Sequence, residues 1–195
     1  MDIKINGSGL PKGPKYLKVS LPKNLKMVWP DLKDHLPVSY YGTSWFTTNI
    51  ASDLQNLKIH KQDRILDIGA FENQMVKKLH NNGYYNAIGI DVNPEIRRHP
   101  YGMKINFRDL SLKRKYCVIL FNHLLENFPG GMFNNLMQPS LQLLANKIYF
   151  HLLSKGYLIF CDYEDNVPTF KECLINIGFK HILEQDKYSH IFQKD

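Results

Sequence analysis

Two acidic residues, each at or near the end of a short apolar run, have the spacing of a nucleotide site. Asp67 lies near the end of the run 64–69, and Asp91 ends the run 86–91, 24 residues after Asp67. In a nucleotide-binding βαβ unit, the ligand approaches the turn after the first strand. An acid about 20 residues further along then accepts hydrogen bonds from the ribose hydroxyls. We therefore expect a nucleoside ligand between the turn at Gly69 and the carboxylate of Asp91.

The turn after the first run is poor in glycine, and this narrows the class of ligand. Gly69 is the single glycine of the stretch 69–73, which continues with Ala70, Phe71 and Glu72. A diphosphate favours a more open backbone without a nearby carboxylate. S-adenosylmethionine has no phosphate, and its cationic sulfonium and amino groups give Asp67 and Glu72 a function. A doubly wound domain that binds another nucleotide, or no cofactor, is the alternative.

The elements that must position these residues follow from the periodicity of the apolar residues. Helical spacing predicts helices over 45–57, 72–82, 132–153 and 169–177, whereas short apolar runs predict strands at 64–69, 86–91, 104–107, 116–121 and 156–161, with a hairpin from 179–183 and 189–192. Strands that are apolar on both faces and alternate with helices indicate a parallel sheet covered on both sides. We expect an α/β, doubly wound, mostly parallel seven-stranded sheet with a C-terminal antiparallel hairpin.

Six short motifs follow one another in a fixed order within residues 45–195. They are Asp67-x-Gly69, Gly89-Ile90-Asp91-Val92-Asn93, Phe107-Arg108-Asp109-Leu110, the stretch 118–129 with Asn122-His123-Leu124-Leu125, Lys155-Gly156-Tyr157-Leu158-Ile159 and Ile177-Gly178-Phe179. As an ordered set they resemble the motifs of class I (Rossmann-like) S-adenosylmethionine-dependent methyltransferases. The resemblance implies that 45–195 is a methyltransferase domain and that S-adenosylmethionine is its cofactor. It implies cofactor contacts by Asp67, Gly69, Ala70, Phe71, Asp91, Val92, Asp109 (near the adenine) and Asn122.

Within that class, three stretches are similar to fungal large-subunit rRNA adenine methyltransferases: 67–71, 90–93 and 124–129. The sequence lacks the motifs of several other nucleic-acid methyltransferases. The Asn-Pro-Pro-aromatic motif of many adenine methyltransferases is absent after the fourth strand, and Asn122 replaces the acid that ribose 2′-O-methyltransferases place there. The sequence contains no Pro-Cys pair, which removes cytosine C5 chemistry. The resemblance implies methylation of a base of RNA.

Asn122 and His123 are the candidate catalytic residues. They follow the fourth predicted strand, whose carboxyl end faces the ligand crevice of an open α/β sheet. His123 could accept a proton or position the methyl acceptor. Positioning is favoured, because methyl transfer to a lone pair often requires only correct placement of the two reactants.

The segment 1–44 is predicted to be a basic arm rich in proline and glycine. Residues 1–61 contain nine lysines and four aspartates but no arginine or glutamate, and they supply most of the formal net charge of +7. A local basic excess suits RNA, although a solvated basic face is the alternative. We expect Lys15 and Lys18 to contact phosphates. Tyr41 and Trp45 are candidates to stack on an unpaired base, with packing as a hydrophobic lid as the alternative.

Composition excludes several classes of protein. No apolar run approaches the ~18 residues of a membrane helix, and the first residues lack the apolar core of a signal peptide, so we expect a soluble intracellular protein that does not contact a membrane. The three cysteines have no metal-ligand spacing, so we expect neither a metal nor a disulfide framework. The leading hypothesis is an RNA base methyltransferase acting on rRNA or on the guanine of an mRNA cap. One alternative is a small-molecule or protein methyltransferase. The other is a catalytically inactive chain that binds S-adenosylmethionine and acts as the partner subunit of another protein.

Overall fold

The computed structural model describes residues 45–111, 113–125, 137–162, 167–184 and 188–195. The α-helices of this part are α1 (Trp45–Asn56), α2 (Gln74–Asn81), α3 (Met137–His151) and α4 (Val167–Asn176). The strands are β1 (Ile65–Ile68), β2 (Ala87–Asp91), β3 (Gly102–Lys104), β4 (Tyr116–Asn122), β5 (Leu152–Cys161), β6 (Phe179–Glu184) and β7 (Ser189–Lys194). Two 3₁₀-helices, Pro94–Arg98 and Phe107–Asp109, flank β3. In the ranges described, no helix is long and apolar enough to cross a membrane.

The strands form one seven-stranded sheet in the order β3-β2-β1-β4-β5-β7-β6. Neighbours from β3 to β5 are parallel, whereas β7 is antiparallel to both β5 and β6. The predicted fold class is therefore confirmed. Strands β2 and β4 lie on opposite sides of β1, so the strand order reverses there. Such a reversal opens a ligand crevice at the carboxyl ends of the strands.

The sheet is covered on both faces, because adjacent residues of each strand point to opposite sides. On one face, Leu66 and Ile68 belong to the core formed with α3 and α4. On the other face, Ile65 belongs to the core formed with Ile50 of α1 and Val76 of α2. Burial of these apolar side chains on both faces explains why the inner strands show no polar alternation.

Several predicted elements have different bounds in the structure, and three of them have a clear local reason or neighbour. The third strand is Gly102–Lys104 rather than 104–107, because the side chain of Asn106 accepts a hydrogen bond from the backbone N–H of Arg108 and starts a 3₁₀-helix. The fifth strand begins at Leu152, directly after α3 ends. Helix α2 begins at Gln74 rather than at residue 72, because Asn73 has left-handed backbone angles.

Candidate cofactor and methyl-acceptor site

Strand register places the candidate residues in two rows on the face of the sheet that packs against α1 and α2. Asp67 of β1 lies between Gly89 of β2 and Leu120 of β4. Since side chains two residues apart share a face, Asp91 and Asn122 form the next row toward the carboxyl edge. The register therefore brings three predicted site residues, Asp67, Asp91 and Asn122, to one end of one face.

The turn after β1 has left-handed backbone angles at every second residue. The φ angles are 73° at Gly69, 39° at Phe71 and 57° at Asn73. The backbone N–H groups of Gly69 and Ala70 both donate to the carbonyl of Ile90, at 2.9 and 3.1 Å, so the turn folds over the end of β2. A side chain costs roughly 1–2 kcal/mol in this region, and asparagine tolerates it better than phenylalanine. Two non-glycine residues thus adopt a conformation that favours glycine.

Asn73 is held in this turn by contacts that only a glycine in β2 permits. It is fully buried, and its side-chain amide Nδ2 donates to the carbonyl of Pro100 at 2.7 Å. A Cβ atom at Gly89 would stand 2.1 Å from Asn73 Oδ1 and 2.7 Å from the Cβ of Ala70. The side chain of Asn73 therefore passes over the bare backbone of Gly89 and ties the turn to the segment before β3.

Asp91 joins the two segments that would surround a nucleoside. Its Oδ2 accepts the backbone N–H of Phe71 at 2.9 Å, and its Oδ1 accepts the backbone N–H of Asn93 at 2.7 Å. A carboxylate has about four acceptor positions, so each oxygen can accept a further hydrogen bond. The half-buried carboxylate of Asp91 can accordingly accept ribose hydroxyl groups without releasing the turn.

Asp67 lies deeper than Asp91, in the inner of the two rows. It is 5 % exposed. Burial, with repulsion from Asp91 as the smaller cause, raises the pKa of the Asp67 carboxyl from 3.8 to about 8. At neutral pH Asp67 therefore holds a proton. A cation beside it would favour the carboxylate and would lower this pKa.

Asn122 and His123 lie where β4 ends beside β5. Asn122 pairs with Cys161, and the backbone N–H of His123 donates to the Cys161 carbonyl at 2.9 Å. The Oδ1 atom of Asn122 is buried and has no hydrogen-bond partner among the described residues. Burial lowers the pKa of the His123 imidazole, so the ring is neutral at pH 7. The end of β4 thus offers an acceptor oxygen and a neutral ring.

The turn after β4 contains a contact that the sequence analysis missed. Asp162, directly after β5, is fully buried and accepts the backbone N–H of Leu125 through Oδ2 at 2.7 Å. Leu124 in the same turn lies against the turn after β1, since its Cδ1 is 3.3 Å from a Cβ placed at Gly69. The sequence did contain a signal for Asp162, because it directly follows the apolar run 156–161 in the same way that Asp91 ends the run 86–91.

Val92 and Asp109, two of the predicted cofactor contacts, lie near this end of the sheet, but their surroundings give less support for contact with a cofactor. Val92 is half-buried and directly follows Asp91. The segment that leads to Asp109 begins beside Asp91, since the backbone N–H of Ile105 donates to the Asp91 carbonyl at 2.9 Å. The Asp109 side chain is 58 % exposed and pairs with Arg108 at 3.2 Å. Its predicted role near an adenine stays a prediction.

The predicted substrate contacts fall largely outside the described residues. This applies to Lys15, Lys18 and Tyr41, as to the whole predicted arm. Trp45 is the first residue of α1, and its side chain is also outside the described part. The stacking and phosphate-binding roles of these four residues stay predictions.

Solved structures of methyltransferases share this fold. A magnesium protoporphyrin IX methyltransferase from Synechocystis PCC 6803 with bound S-adenosylmethionine superimposes with a TM-score of 0.59 and 14 % identity, covering 76 % of this chain and 78 % of that one. A ribosomal protein L11 methylase from Lactobacillus delbrueckii subsp. bulgaricus gives a TM-score of 0.58 and 18 % identity, with 84 % and 91 % covered. The N-methyltransferase NodS from Bradyrhizobium japonicum WM9, bound to S-adenosylhomocysteine, gives a TM-score of 0.56 and 14 % identity. The superposition covers 77 % of this chain and 88 % of NodS.

These likenesses show that the chain has the fold of class I S-adenosylmethionine-dependent methyltransferases. No protein-family model matches the sequence, and no curated protein sequence matches it significantly. The predicted likeness to rRNA adenine methyltransferases is not shown by these comparisons.

Proposed function

We propose that this chain is an S-adenosylmethionine-dependent methyltransferase whose methyl acceptor is a base of RNA. The observation that carries the proposal is the convergence of Asp67, Asp91 and Asn122 at the carboxyl edge of the sheet, on one face, in a methyltransferase fold. Each of the three presents oxygen atoms, and Lys104 of β3, which pairs with Asp91 in the second row, is exposed. Such a site favours a cationic nucleoside over a phosphate.

The residues present fit the cofactor. Asp67, buried and protonated, is a partner for a cationic amino or sulfonium group, because a nearby positive charge stabilises its carboxylate. Asp91 retains acceptor positions for ribose hydroxyls while it holds the turn at Phe71. The Asn122 Oδ1 atom, buried and without a partner in the described ranges, is an acceptor that a ligand N–H would satisfy.

Once bound at this edge, S-adenosylmethionine supplies a methyl group on a positively charged sulfur. The chain's own contribution is to hold the acceptor in line with that methyl, because positioning alone accounts for a large part of such rate enhancements. The second lone pair of the Asn122 amide oxygen would accept an N–H of the acceptor base, and the neutral ring of His123 would border that base. A ring nitrogen already has the lone pair that is methylated, so no general base is required.

The choice of RNA rests on the basic, aromatic segment before the core. Lys15 and Lys18 of this segment would contact phosphates, and Tyr41 and Trp45 would stack on an unpaired base. The alternative is a small-molecule or protein acceptor. It is favoured by the solved structures of the same fold, which include a porphyrin methyltransferase and a ribosomal protein methylase.

The experiment is transfer of tritiated methyl from S-adenosylmethionine to separated RNA, protein and small-molecule fractions of a cell extract. We expect label in RNA with the wild-type chain and at least about 10-fold less with Asp91→Ala when the cofactor is below saturation. Label confined to protein or to small molecules would overturn the RNA assignment and leave the methyltransferase. Tight cofactor binding without transfer to any fraction would overturn enzymatic activity and identify a cofactor-binding partner subunit.

A further inference from the structure

Three potential metal ligands meet on the β6–β7 hairpin, away from the cofactor site. They are His181 and Glu184 of β6 and His190 of β7, and one ligand atom from each lies within 4.8 Å of the others. The sequence analysis expected no metal, because it considered cysteine spacing and left the histidines of the hairpin unexamined. These three residues are brought together by the pairing of β6 with β7, so their spacing in the sequence does not predict the cluster.

A β-bulge brings the three side chains to one face. In a regular strand, His181 and Glu184 would point to opposite faces, since they are three residues apart. Here Glu184 pairs with His190, Leu183 with Ile191 and His181 with Phe192, so Ile182 is an extra residue. The extra residue restores His181 to the face of Glu184 and His190. This is the face covered by α4, where Lys171 bonds to Glu184.

The donor set and its burial suit zinc. Two imidazoles and one carboxylate are ligands that Zn²⁺ binds at about 2.0–2.2 Å, which places ligand atoms about 3.3 Å apart in a tetrahedral site. His190 Nδ1 and Glu184 Oε2 are already 3.6 Å apart. His190 is 1 % exposed, and His181 Nε2 is buried with no hydrogen-bond partner in the described part of the chain. Glu184 is 47 % exposed on its side chain, which leaves a route for the ion.

A cation is already bound by this cluster. The ammonium of Lys171 lies 2.8 Å from Glu184 Oε2. Glu184 therefore already pairs with a positive charge at the edge of the cluster. A dication that binds both imidazoles and this carboxylate would displace a single ammonium, whose side chain is 26 % exposed.

We propose that His181, Glu184 and His190 form a zinc site with water as the fourth ligand. The ion joins the end of β6 to the start of β7 at the carboxyl edge of the sheet. There Ser189 of β7 pairs with Cys161, which in turn pairs with Asn122. Zinc thus fixes the hairpin two strands from the candidate acceptor site, and the proposal is independent of the proposed activity.

The test is titration of metal-free, full-length protein with ZnSO₄ by calorimetry, and with Co²⁺ by visible absorption. We expect one ion per chain and the intense bands of tetrahedral cobalt. Glu184→Gln, an exposed substitution that leaves the buried histidines in place, should weaken Zn²⁺ binding by at least about 10- to 100-fold, the loss caused even by outer-shell changes. Lys171→Met should strengthen it, because the competing ammonium is gone. His60→Ala, at an exposed histidine outside the cluster, is the matched control.

Saturating Zn²⁺ should also raise the Tm of the wild type by several degrees, as expected for a ligand that binds only the folded state. The same Zn²⁺ should leave the Tm of a His181→Ala/His190→Ala double variant unchanged. If that variant does not fold, Glu184→Gln decides alone. Zinc affinity equal in wild type and Glu184→Gln, or lost in His60→Ala, would overturn the site.

Discussion

Asp67 and Asp91 are the same residue type two strand positions apart on neighbouring strands, and their surroundings give them different properties. Asp91 accepts two backbone N–H groups, which stabilise a carboxylate. Asp67 lies one row deeper, where burial raises the pKa of its carboxyl to about 8. The site therefore has one carboxylate that is ready to bind hydroxyl groups and one carboxyl that responds to an incoming cation.

Replacement of Asp91 tests its assignment as the ribose ligand. Asp91→Ala should weaken S-adenosylmethionine or S-adenosylhomocysteine binding by about 1.5–3 kcal/mol, the contribution of hydrogen bonds to a charged group. Calorimetry measures the change, with Glu172→Ala on the exposed side of α4 as the control. Unchanged affinity in the Asp91 variant would remove the assignment.

Protonation of Asp67 predicts how stability depends on pH. The native carboxyl keeps its proton up to a pKa of about 8, whereas the unfolded chain releases it near 3.8. Between these values the native state binds the extra proton, so stability falls as pH rises, by at most about 1.4 kcal/mol per pH unit. Asp67→Asn should remove this part of the slope, as measured by urea unfolding from pH 5 to pH 8. Parallel pH profiles for wild type and variant would contradict the buried, protonated acid.

His123 tests whether the reaction needs a base. Its backbone φ is 52°, a value that asparagine adopts more readily than alanine, so His123→Asn is the conservative variant. If His123 only positions the acceptor, the variant should lower turnover modestly, and the wild-type rate should be flat above pH 6.5, because burial lowers the pKa of the ring. A fall of roughly 10²- to 10⁴-fold would identify a general base instead.

At the scale of elements, the turn after β1 depends on β2 for its shape. Asn73 occupies the space above Gly89, so any side chain at Gly89 displaces the turn that holds Phe71 against Asp91. The first turn and the second strand therefore act as one unit in building the site.

Substitution of Gly89 tests this dependence. Gly89→Ala should destabilise the protein by about 1–3 kcal/mol, as overpacking does, and should weaken cofactor binding. Combination with Asn73→Gly should recover part of the loss, because the 2.1 Å contact disappears while the 2.7 Å contact with Ala70 remains. Unfolding and calorimetry on the four members of this cycle measure the coupling. Losses that simply add would show that Asn73 and Gly89 do not act on each other.

The elements were largely predictable from sequence, but several contacts between them were not. Apolar runs located β1, β2, β4 and the hairpin, since burial on both faces leaves a clear pattern. The 3₁₀-helix after β3 was missed because a side-chain cap at Asn106 competes with strand pairing. The left-handed Phe71, the bond from Leu125 to Asp162 and the bulge in β6 depend on neighbouring strands, so local sequence does not encode them.

At the scale of the whole molecule, the basic segment and the core are predicted to have separate functions. Deletion of residues 1–30 should weaken RNA binding and flatten its dependence on salt, because fewer phosphate contacts release fewer counterions. Filter binding at several salt concentrations measures this slope, and calorimetry should show that the cofactor still binds. The same slope with and without the segment would mean that it does not contact phosphate.

The place of β7 between β5 and β6 has a consequence for the order in which the chain folds. β6 comes first along the chain, yet in the part that the structure describes it borders β7 alone, so it has no edge to join until β7 is formed. The two strands are close in sequence, and a hairpin of this kind forms within microseconds, far faster than distant strands meet. We therefore expect the hairpin to form first and then to dock on β5 through β7 as a preassembled unit.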